Sequence, residues 1–395
     1  MPLRLFEKTE LASFISRPNR FTVICRLEGK SVKAYLPNPG RLHELLLPGA
    51  TLYLEKSDNP GRKMPLTLVA VESDCYIVPL HTHRTNDIAE YLIKKGLVPG
   101  LEDAEIIKRE VTVGSSRFDF LLKRGSENII LEVKSCTLFS RYAAMFPDAI
   151  TARGRRHVEE LSALTKGDTH GHVLFVVNRP DVKYFLPDFH TDLEFSRTLL
   201  AVKDRLAITP VAIGITEDLY VRPEVRVLDI PWDTIKKEAL DGGSYLVVLR
   251  LPREKTIEVG GLGAIKFKKG FYVYVGSARK NLSKRIERHR RERKRFRWHI
   301  DYLREKADFL HDLPMRTRDD MECAVAGALR KTAGWKIPGF GSSDCACPTH
   351  LFGFEEDPLS AKKFHELLLY FRVDRFFEGN FLKKVPLKLS SKTFR

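Results

Sequence analysis

The chain has 395 residues, too many for one hydrophobic core of ordinary size, so we expect two or three domains. Hydrophobic residues make up 43% of the chain and charged residues 30%, a balance that favours a soluble, folded protein. The formal net charge of +16 indicates a polyanionic partner, because each phosphate neutralised by lysine or arginine releases condensed counterions. The alternative is a surface rich in both basic and acidic residues, as in proteins from thermophiles.

Segments for membrane insertion or export are not expected. No apolar run approaches the roughly 18 residues of a membrane-spanning helix. The first residues also lack the apolar core of a secretory signal. The six cysteines are scattered apart from Cys345 and Cys347, which is typical of a reducing compartment. We therefore expect a cytoplasmic protein that uses neither a membrane nor a small-molecule cofactor.

Short strands separated by turns fill residues 1–84. A hairpin signal lies at residues 28–30, and a helix-like insert is predicted at 41–47. Five short strands around one such insert favour a small OB-like β-barrel that binds nucleic acid. The strands are predicted at residues 21–27, 31–36, 51–55, 66–71 and 75–78. Two basic loops either face a phosphate backbone or are ordinary solvated turns. Their basic residues are Arg41, Arg62 and Lys63.

The next unit, residues 85–222, mixes helical and alternating patterns. A helix at 87–95 precedes three meandering strands, and a second helix at 151–164 begins with Thr151 as its N-cap. This order predicts a mixed α/β core. The strands are predicted at residues 107–113, 117–123, 129–134, 172–177 and 208–215.

A connector is predicted at residues 223–241, where prolines and aspartates cluster before two glycines. A third α/β unit follows at 242–354, with strands at 245–251 and 271–275 and helices after them. The last segment, 355–395, is predicted to hold one amphipathic helix and a basic end. The whole chain is thus expected to be a multidomain α/β protein.

Acidic residues interrupt two neighbouring apolar strands of the second unit. Asp119 lies in one strand, and Glu132 and Lys134 lie two residues apart on the next, so the last two point to one face. Acids in apolar strands are costly unless they are paired or bind a metal ion. Carboxylate oxygens suit Mg²⁺ or Mn²⁺, and phosphodiester hydrolysis needs such an ion to neutralise charge and activate water. Lys134 would orient that water or stabilise the developing charge. The alternative is that both acids only form salt bridges with basic neighbours.

The motifs around these residues resemble the sugar fermentation stimulation protein A (SfsA) family. They lie at residues 36–42, 116–120, 132–138 and 146–154. The resemblance covers about residues 1–222. It implies an OB-like N-terminal domain, a PD-(D/E)xK nuclease-like domain, and DNA binding linked to gene regulation. Pro39 departs from the small polar residue expected in its loop.

Nucleases of this type often take a further glutamate from the first core helix. Glu90 fits that position loosely, and plain surface charge is the alternative. Arg153 and His157 lie four residues apart near a helix N-terminus, a place that attracts phosphate. We expect them either to contact the substrate or to form a solvated face.

Two strands of the third unit carry the triplets GSY at 243–245 and YVG at 274–276. With the residues that follow, they resemble a GIY-YIG nuclease domain of a small family of uncharacterised function, over residues 242–354. The resemblance implies paired tyrosines that activate water, an arginine that stabilises phosphate charge, and an acid that holds Mg²⁺. Half-buried packing is the alternative for the tyrosines. The four residues are Tyr245, Tyr274, Arg285 and Glu322.

A basic run at residues 288–298 contains two aromatic residues and lacks the apolar periodicity of a core helix. It suits phosphate contacts with base stacking, or else a solvated basic face. The residues expected to bind nucleic acid are Arg288, His289, Arg290 and Arg291.

Cys345, Cys347 and His350 are zinc-ligand types at an unusual spacing, because zinc sites usually leave two to four residues between cysteines. Reduced structural cysteines are the simpler interpretation. If zinc is bound, the fourth ligand would be Cys323 or His299.

The sequence thus predicts a DNA-binding protein with a metal-dependent nuclease site on Asp119, Glu132 and Lys134, and a second nuclease-type domain. The alternative is a non-catalytic DNA-binding regulator on the same scaffold, because fold does not dictate activity. RNA is the alternative partner, since basic charge and OB-like folds suit both nucleic acids. The oligomeric state is left open.

Overall fold

A computed structural model of the chain describes residues 2–57, 59 and 61–378. The basic end of the expected C-terminal tail, 379–395, lies outside the described residues. Within the described part, no helix combines the length and the hydropathy needed to cross a lipid bilayer.

The first domain is a small β-barrel. Its strands are β1 (Thr9–Asn19), β2 (Thr22–Leu27), β3 (Lys30–Tyr35), β4 (Thr51–Lys56), β5 (Leu66–Ser73) and β6 (Tyr76–Pro79). Five strands are ordered β3-β2-β1-β4-β5, and the pairing of Tyr35 with Thr67 closes this sheet. β6 continues from β5 as a hairpin. The five-stranded barrel expected from the sequence is confirmed.

Strand β1 is missing from the sequence-based expectation. Its apolar residues lie on both faces, because Ala12 and Phe14 are buried while Leu11 is 60% exposed and Ile15 is 38% exposed. That arrangement hides the two-residue period by which a half-buried strand is recognised.

The helix expected at residues 41–47 is wrong, since the segment forms turns. Leu42 has a positive φ of 53°, which a right-handed helix does not contain. Its backbone amide donates a 2.7 Å hydrogen bond to the Asp148 carboxylate of the second domain. The buried Leu42, Leu45 and Leu46 have the i, i+3, i+4 spacing of one helical face, but a contact between domains decides the backbone.

The second domain is a mixed sheet between helices. Its strands are β7 (Glu105–Val113), β8 (Ser116–Arg124), β9 (Glu127–Cys136), β10 (Leu138–Phe139), β11 (Ala143–Phe146), β12 (Thr169–Val177), β13 (Tyr184–Pro187), β14 (Ala207–Ile215) and β15 (Val221–Val227). Its helices are α1 (Thr85–Lys94), α2 (Ala152–Leu164) and α3 (Leu193–Val202). The main sheet has the order β15-β14-β12-β9-β8-β7, in which β9, β12 and β14 are parallel.

Helices cover both faces of this main sheet. Ile88 and Leu92 of α1 pack on one face, and Val158 and Leu161 of α2 pack on the other. The central strands are therefore apolar on both sides, as expected for a sheet buried between helices. The predicted mixed α/β core is confirmed. The three small strands β10, β11 and β13 form a separate sheet beside it.

The segment expected as a connector, 223–241, is packed structure. It contains most of β15, the edge strand of the main sheet. It also contains helix α4 (Trp232–Glu238), which packs against α3 and buries Ile235 completely. The third domain therefore follows the second without an extended spacer.

The third domain is an antiparallel sheet with helices on both faces. Its strands are β16 (Gly243–Leu251), β17 (Lys255–Glu258), β18 (Ala264–Phe267), β19 (Gly270–Ala278), β20 (Asp308–Arg316), β21 (Trp335–Lys336) and β22 (Leu351–Phe354). Its helices are α5 (Leu282–Arg290), α6 (His299–Arg304), α7 (Glu322–Leu329) and α8 (Lys362–Arg372). The sheet order is β20-β16-β19-β22-β21. Helix α8, expected in a separate tail, packs into this domain through Phe364 and Leu368.

A buried histidine joins the second and third domains. Nε2 of His190 lies 2.9 Å from the carbonyl oxygen of Arg372, and its Nδ1 lies 2.9 Å from the backbone nitrogen of Arg316. Nδ1 must accept from that amide, so Nε2 carries the proton and the ring is neutral. Burial, followed by the charge of Arg372, holds the pKa of His190 well below its ordinary value.

Candidate functional site

A cleft of about 670 Å³ lies between the first and second domains. Its walls include the turn at residues 38–40, the start of α1, and the ends of β8 and β9. Asp119 and Lys134 line this cleft, and they also line an adjoining cavity of about 260 Å³ together with Glu132. The three residues singled out from the sequence therefore share one site.

Two hydrogen bonds orient the Asp119 carboxylate. Oδ1 accepts from the side-chain amide of Asn86 at 2.8 Å, and Oδ2 accepts from the backbone amide of Val133 at 2.7 Å. Burial and the neighbouring charge of Glu132 raise the pKa of Asp119. The two acids are thus close enough to repel each other, as two carboxylates that share a cation would be.

Glu132 is 3% exposed, and its two oxygens have different surroundings. Oε1 contacts the Lys134 ammonium and lies 2.7 Å from Nδ1 of His157. Oε2 is buried without a hydrogen-bond partner among the described residues. Burial alone would raise the pKa of Glu132, but the hydrogen bonds from His157 and Lys134 outweigh it and lower the pKa. An unpaired buried carboxylate oxygen is costly, and a hard cation would satisfy it.

The structure gives Arg153 and His157 different surroundings. His157 is buried and contacts Glu132, so it lies in the interior and not at a nucleic-acid surface. Arg153 is exposed, lines the cleft, and lies with its Nε 3.4 Å from Nε2 of His157. The Thr151 side chain accepts from the Gly154 amide at 3.1 Å, which confirms the predicted N-cap and places the start of α2 at the cleft.

Asn86 is a site residue that sequence reasoning missed. The acid considered for this helix, Glu90, instead pairs with Lys94 and Arg109. Asn86 lies one turn before Glu90 on the same face of α1, and it reaches Asp119. Its spacing from Glu90 is a local signal, but nothing in the sequence links it to Asp119.

The three basic residues of the first domain that were expected to bind nucleic acid differ in their exposure. Arg62 and Lys63 are exposed, and the Arg62 guanidinium lies 5.5 Å from the centre of the Tyr35 ring. Arg41 is half-buried and lines a small cavity together with Asp148.

A second cluster lies in the third domain, around two buried tyrosines. The Tyr245 hydroxyl lies 2.8 Å from Nε2 of His289, and the Tyr274 ring centre lies 6.5 Å from that of Tyr245. Burial raises the pKa of Tyr245 well above its ordinary value and lowers the pKa of His289 to about 3. A protonated tyrosine therefore lies beside a neutral imidazole. His289, expected to bind nucleic acid, is an interior residue of this cluster.

The glycines of the two strand triplets have a steric explanation. Gly276 lies opposite Tyr245 in the β16–β19 register, and a Cβ atom there would lie 2.4 Å from the Tyr245 hydroxyl oxygen. Gly243 has a φ of +129°, and its Cβ would lie 2.3 Å from the carbonyl oxygen of Met315. Both positions therefore require glycine for this packing.

Ser277 connects the other two residues of this cluster. Its carbonyl oxygen accepts from Arg285 at 2.6 Å, and its hydroxyl donates to Glu322. Glu322 Oε1 also lies 3.0 Å from Nδ1 of His350. Burial raises the pKa of Tyr274, and the charge of Glu322 raises it further. This acid therefore lies near the tyrosine pair. The four residues expected from the GIY-YIG resemblance are thus close together.

Part of the basic run is held by contacts within the domain. Arg288 donates two 3.0 Å hydrogen bonds to the buried Asp301 and lies 4.4 Å from the Trp298 ring centre. Arg290 pairs with Asp312. Arg291 begins the loop that follows α5 and is exposed.

The zinc-ligand types noted in the sequence as an alternative gather in the structure, with Cys323 as the fourth member. The ligand atoms of Cys323, Cys345, Cys347 and His350 all lie within 4.8 Å of one another. The other candidate, His299, accepts from the Gly341 amide at 3.1 Å. The three cysteines are free thiols.

Three family models match the chain. They are the SfsA N-terminal OB domain at residues 15–80, the sugar fermentation stimulation protein RE domain at 83–218, and the domain of unknown function DUF123 at 244–371.

The chain is similar to curated proteins over its first two domains. The sugar fermentation stimulation protein homolog of Methanothermobacter thermautotrophicus is 37% identical over 235 residues, 59% of this chain and 98% of that protein. The homolog of Clostridium tetani is 36% identical over 220 residues, 55% of this chain and 96% of that protein.

A solved structure shows the same likeness. The structure of Pyrococcus furiosus SfsA in complex with Ca²⁺ matches with a TM-score of 0.52 and 29% identity, over 58% of this chain and 99% of that one. Since both SfsA models match and nearly the whole length of these relatives is covered, the chain belongs to the sugar fermentation stimulation protein family and carries a DUF123 domain in addition.

Proposed function

We propose that the chain binds DNA in the cleft between its first two domains and hydrolyses phosphodiester bonds there with a divalent metal ion. The observation that carries this proposal is the buried Oε2 of Glu132, which has no hydrogen-bond partner in the described part of the chain and lies beside Asp119 and Lys134 in one cavity. The Ca²⁺ complex of Pyrococcus furiosus SfsA supports it, because Ca²⁺ and Mg²⁺ both take oxygen ligands.

Asp119 and Glu132 would hold the metal ion. Both present carboxylate oxygens to the cavity, which suits Mg²⁺ or Mn²⁺. When bound, such an ion neutralises phosphate charge and lowers the pKa of a bound water.

The other residues would orient these acids and the substrate. Asn86 and the Val133 amide hold Asp119, while His157 holds Glu132 through a 2.7 Å contact. Lys134 would stabilise the negative charge that develops during hydrolysis, because its ammonium lies at the same carboxylate. Arg153, at the N-terminal end of α2, would contact a phosphate.

The charge of the cleft supports a nucleic-acid partner. The chain has a net charge of +16, and four arginines line the cleft. They are Arg20, Arg109, Arg117 and Arg153. Positive side chains along a groove would follow a phosphate backbone.

The third domain supports a second hydrolytic site of the GIY-YIG type. Tyr245 would orient the attacking water through its hydroxyl, which His289 holds in place by a contact 2.8 Å long. Arg285 would stabilise phosphate charge, and Glu322 would hold one Mg²⁺ ion.

DNA cleavage by the purified full chain tests both sites. Single-stranded, duplex and branched DNA, with matching RNA, are incubated with and without Mg²⁺ or Mn²⁺. We expect metal-dependent cleavage of DNA that Asp119→Asn or Glu322→Gln reduces, each at its own site, while binding persists. Glu194→Gln serves as the control, because this exposed acid pairs with Arg197 on α3 away from both sites. Cleavage that survives Asp119→Asn in full removes the first site from the mechanism.

A non-catalytic DNA-binding regulator is the second candidate. One observation favours it: Lys134 and His157 already engage Oε1 of Glu132, so this acid has partners without a metal ion. Tight DNA binding without cleavage under every metal condition would support this function and contradict the nuclease proposal.

A further inference from the structure

Three cysteines and one histidine meet where a turn-rich segment of the third domain lies beside helix α7. Cys345, Cys347 and His350 lie between β21 and β22, and Cys323 lies in the first turn of α7. Residues 337–350 contain neither helix nor strand. All four ligand atoms nevertheless lie within 4.8 Å of one another.

The spacing of these atoms fits one tetrahedral ion. Zn–S bonds of about 2.3 Å and Zn–N bonds of about 2.0–2.1 Å place a sulfur and a nitrogen about 3.5 Å apart at a tetrahedral angle. The Sγ atom of Cys345 lies 3.5 Å from Nε2 of His350. Thiolate and imidazole ligands select zinc over Mg²⁺ or Ca²⁺, which prefer oxygen.

We propose that Cys323, Cys345, Cys347 and His350 form a structural zinc site that also positions Glu322. Four protein ligands leave no open coordination position, which is the mark of a structural site and not a catalytic one. The segment at 337–350 lacks regular secondary structure. The ion would cross-link this segment to the start of α7.

His350 connects this site to Glu322. Its Nε2 faces the cysteine sulfurs, and its Nδ1 lies 3.0 Å from Oε1 of Glu322. A metal ion on Nε2 forces the proton onto Nδ1, so the ring donates to the carboxylate. His350 is 1% exposed, so water does not compete for this hydrogen bond. The positioning role rests on the proposed function of the third domain, whereas zinc binding does not.

Elemental analysis of the full chain, purified without chelator, tests the zinc site. We expect about one zinc per chain, which Cys345→Ser or Cys347→Ser removes. Cys75→Ser is the matched control, because Cys75 is an exposed thiol in the first domain and outside the cluster. Its zinc content should equal that of the unmodified chain. A chain without zinc whose cluster thiols react freely, or one that holds a disulfide or iron there, overturns the proposal.

The tautomer of His350 tests the positioning role without any measurement of cleavage. Nitrogen NMR of histidine-labelled protein should show His350 protonated at Nδ1 and metal-shifted at Nε2, with the signal assigned by its loss in His350→Cys. Protonation at Nε2 overturns the positioning role.

Two variants separate zinc binding from positioning. His350→Cys preserves four ligands but has no N–H for Glu322, whereas His350→Ala loses a ligand as well. We expect His350→Cys to keep zinc while third-domain cleavage, measured in an Asp119→Asn background, falls about 10–100-fold. His350→Ala should lose both. Undiminished cleavage by zinc-loaded His350→Cys contradicts the positioning role, and a zinc-free chain that still cleaves contradicts the zinc site but leaves the proposed function intact.

Discussion

The Tyr245 hydroxyl lies 2.8 Å from Nε2 of His289, and neither side chain is more than 2% exposed. Burial sets the protonation states of both, because it raises the pKa of the tyrosine and lowers that of the histidine to about 3. The pair is therefore a protonated hydroxyl beside a neutral imidazole.

Tyr245→Phe should abolish third-domain cleavage with a modest loss of stability. The ring remains buried, and the lost hydrogen bond costs about 1 kcal/mol in the free energy of unfolding. Tyr272→Phe is the matched control, since this buried tyrosine on β19 donates to the Lys268 carbonyl oxygen at 2.8 Å. Denaturant titration should show similar losses for both variants, and only Tyr245→Phe should lose cleavage. Equal cleavage by the two would show that the Tyr245 hydroxyl has no chemical role.

Gly276→Ala should displace Tyr245. The new methyl group would lie 2.4 Å from the hydroxyl oxygen, and overpacking of this kind costs about 1–3 kcal/mol. Gly261→Ala is the control, because apart from its chain neighbours no described residue has an atom within 4 Å of its Cβ position. Thermal unfolding should show a lower midpoint for the first variant and an unchanged midpoint for the second. A stable Gly276→Ala with intact cleavage would contradict the steric explanation of the YVG triplet.

Asn86→Ala should weaken metal binding at the first site. It removes the 2.8 Å hydrogen bond to Asp119, and the loss of such a supporting partner lowers metal affinity or activity about 10–100-fold. Glu90→Ala, one turn further along α1, should leave metal affinity and activity unchanged, because the partners of Glu90 are Lys94 and Arg109. Calorimetric titration with Mn²⁺ measures the difference. The reverse result would mean that Glu90, as first considered, supplies the supporting group.

Arg153 and Arg288 should respond to substitution in different ways. Arg153→Ala removes a charge from the cleft, so DNA affinity should fall and the slope of log K against log salt should decrease by about 1. Arg288→Ala leaves the buried Asp301 short of a partner and should cost about 3 kcal/mol of folding stability. Fluorescence anisotropy at several salt concentrations measures the first effect, and denaturant unfolding the second. An unchanged salt slope for Arg153→Ala would place the DNA elsewhere.

Acid should weaken the junction between the second and third domains. The pKa of His190 in the folded chain lies well below the value of about 6.5 in an unfolded chain. The folded state therefore binds fewer protons than the unfolded state, and the free energy of unfolding falls as the pH drops below about 6.5. Protonation of Nδ1 would also break the bond from the Arg316 amide.

His190→Gln tests this pH dependence because glutamine does not titrate. The variant should be less stable at neutral pH. Its free energy of unfolding should also fall less steeply with acid, and the slope should be smaller than that of the unmodified chain by at most about 1.4 kcal/mol per pH unit. His172, whose pKa burial lowers to about 4, contributes a slope of the same sign that remains in the variant. His170→Gln is the control, since the His170 side chain is 43% exposed. An identical slope for His190→Gln and the unmodified chain would contradict the assignment.

Much of the architecture follows from local patterns. The helix predicted at 151–164 is α2, and the strand predicted at 208–215 is β14, each within a residue of the observed bounds. Alternating burial and N-caps are properties of neighbouring residues, so the sequence displays them directly. Strand β1 is one element that the pattern does not reveal, because its exposed Leu11 hides the alternation.

Some residues of the first candidate site are likewise visible in the sequence, and one is not. Asp119, Glu132 and Lys134 are visible in the sequence because acids and a lysine interrupt apolar strands that pair with each other. Asn86 is not visible, since its partner Asp119 lies 33 residues further along the chain.

The sequence by itself determined which residues could do chemistry in each domain and on which strands they lie. Only the tertiary structure decided which of them meet: it places Cys323 with the distant His350, and His289 against Tyr245. It also sends His157 to Glu132 in the interior and leaves Arg153 at the cleft. The physical reason is that periodicity reports which face of an element is buried. Contacts between elements depend on how those faces pack, and no local pattern records that packing.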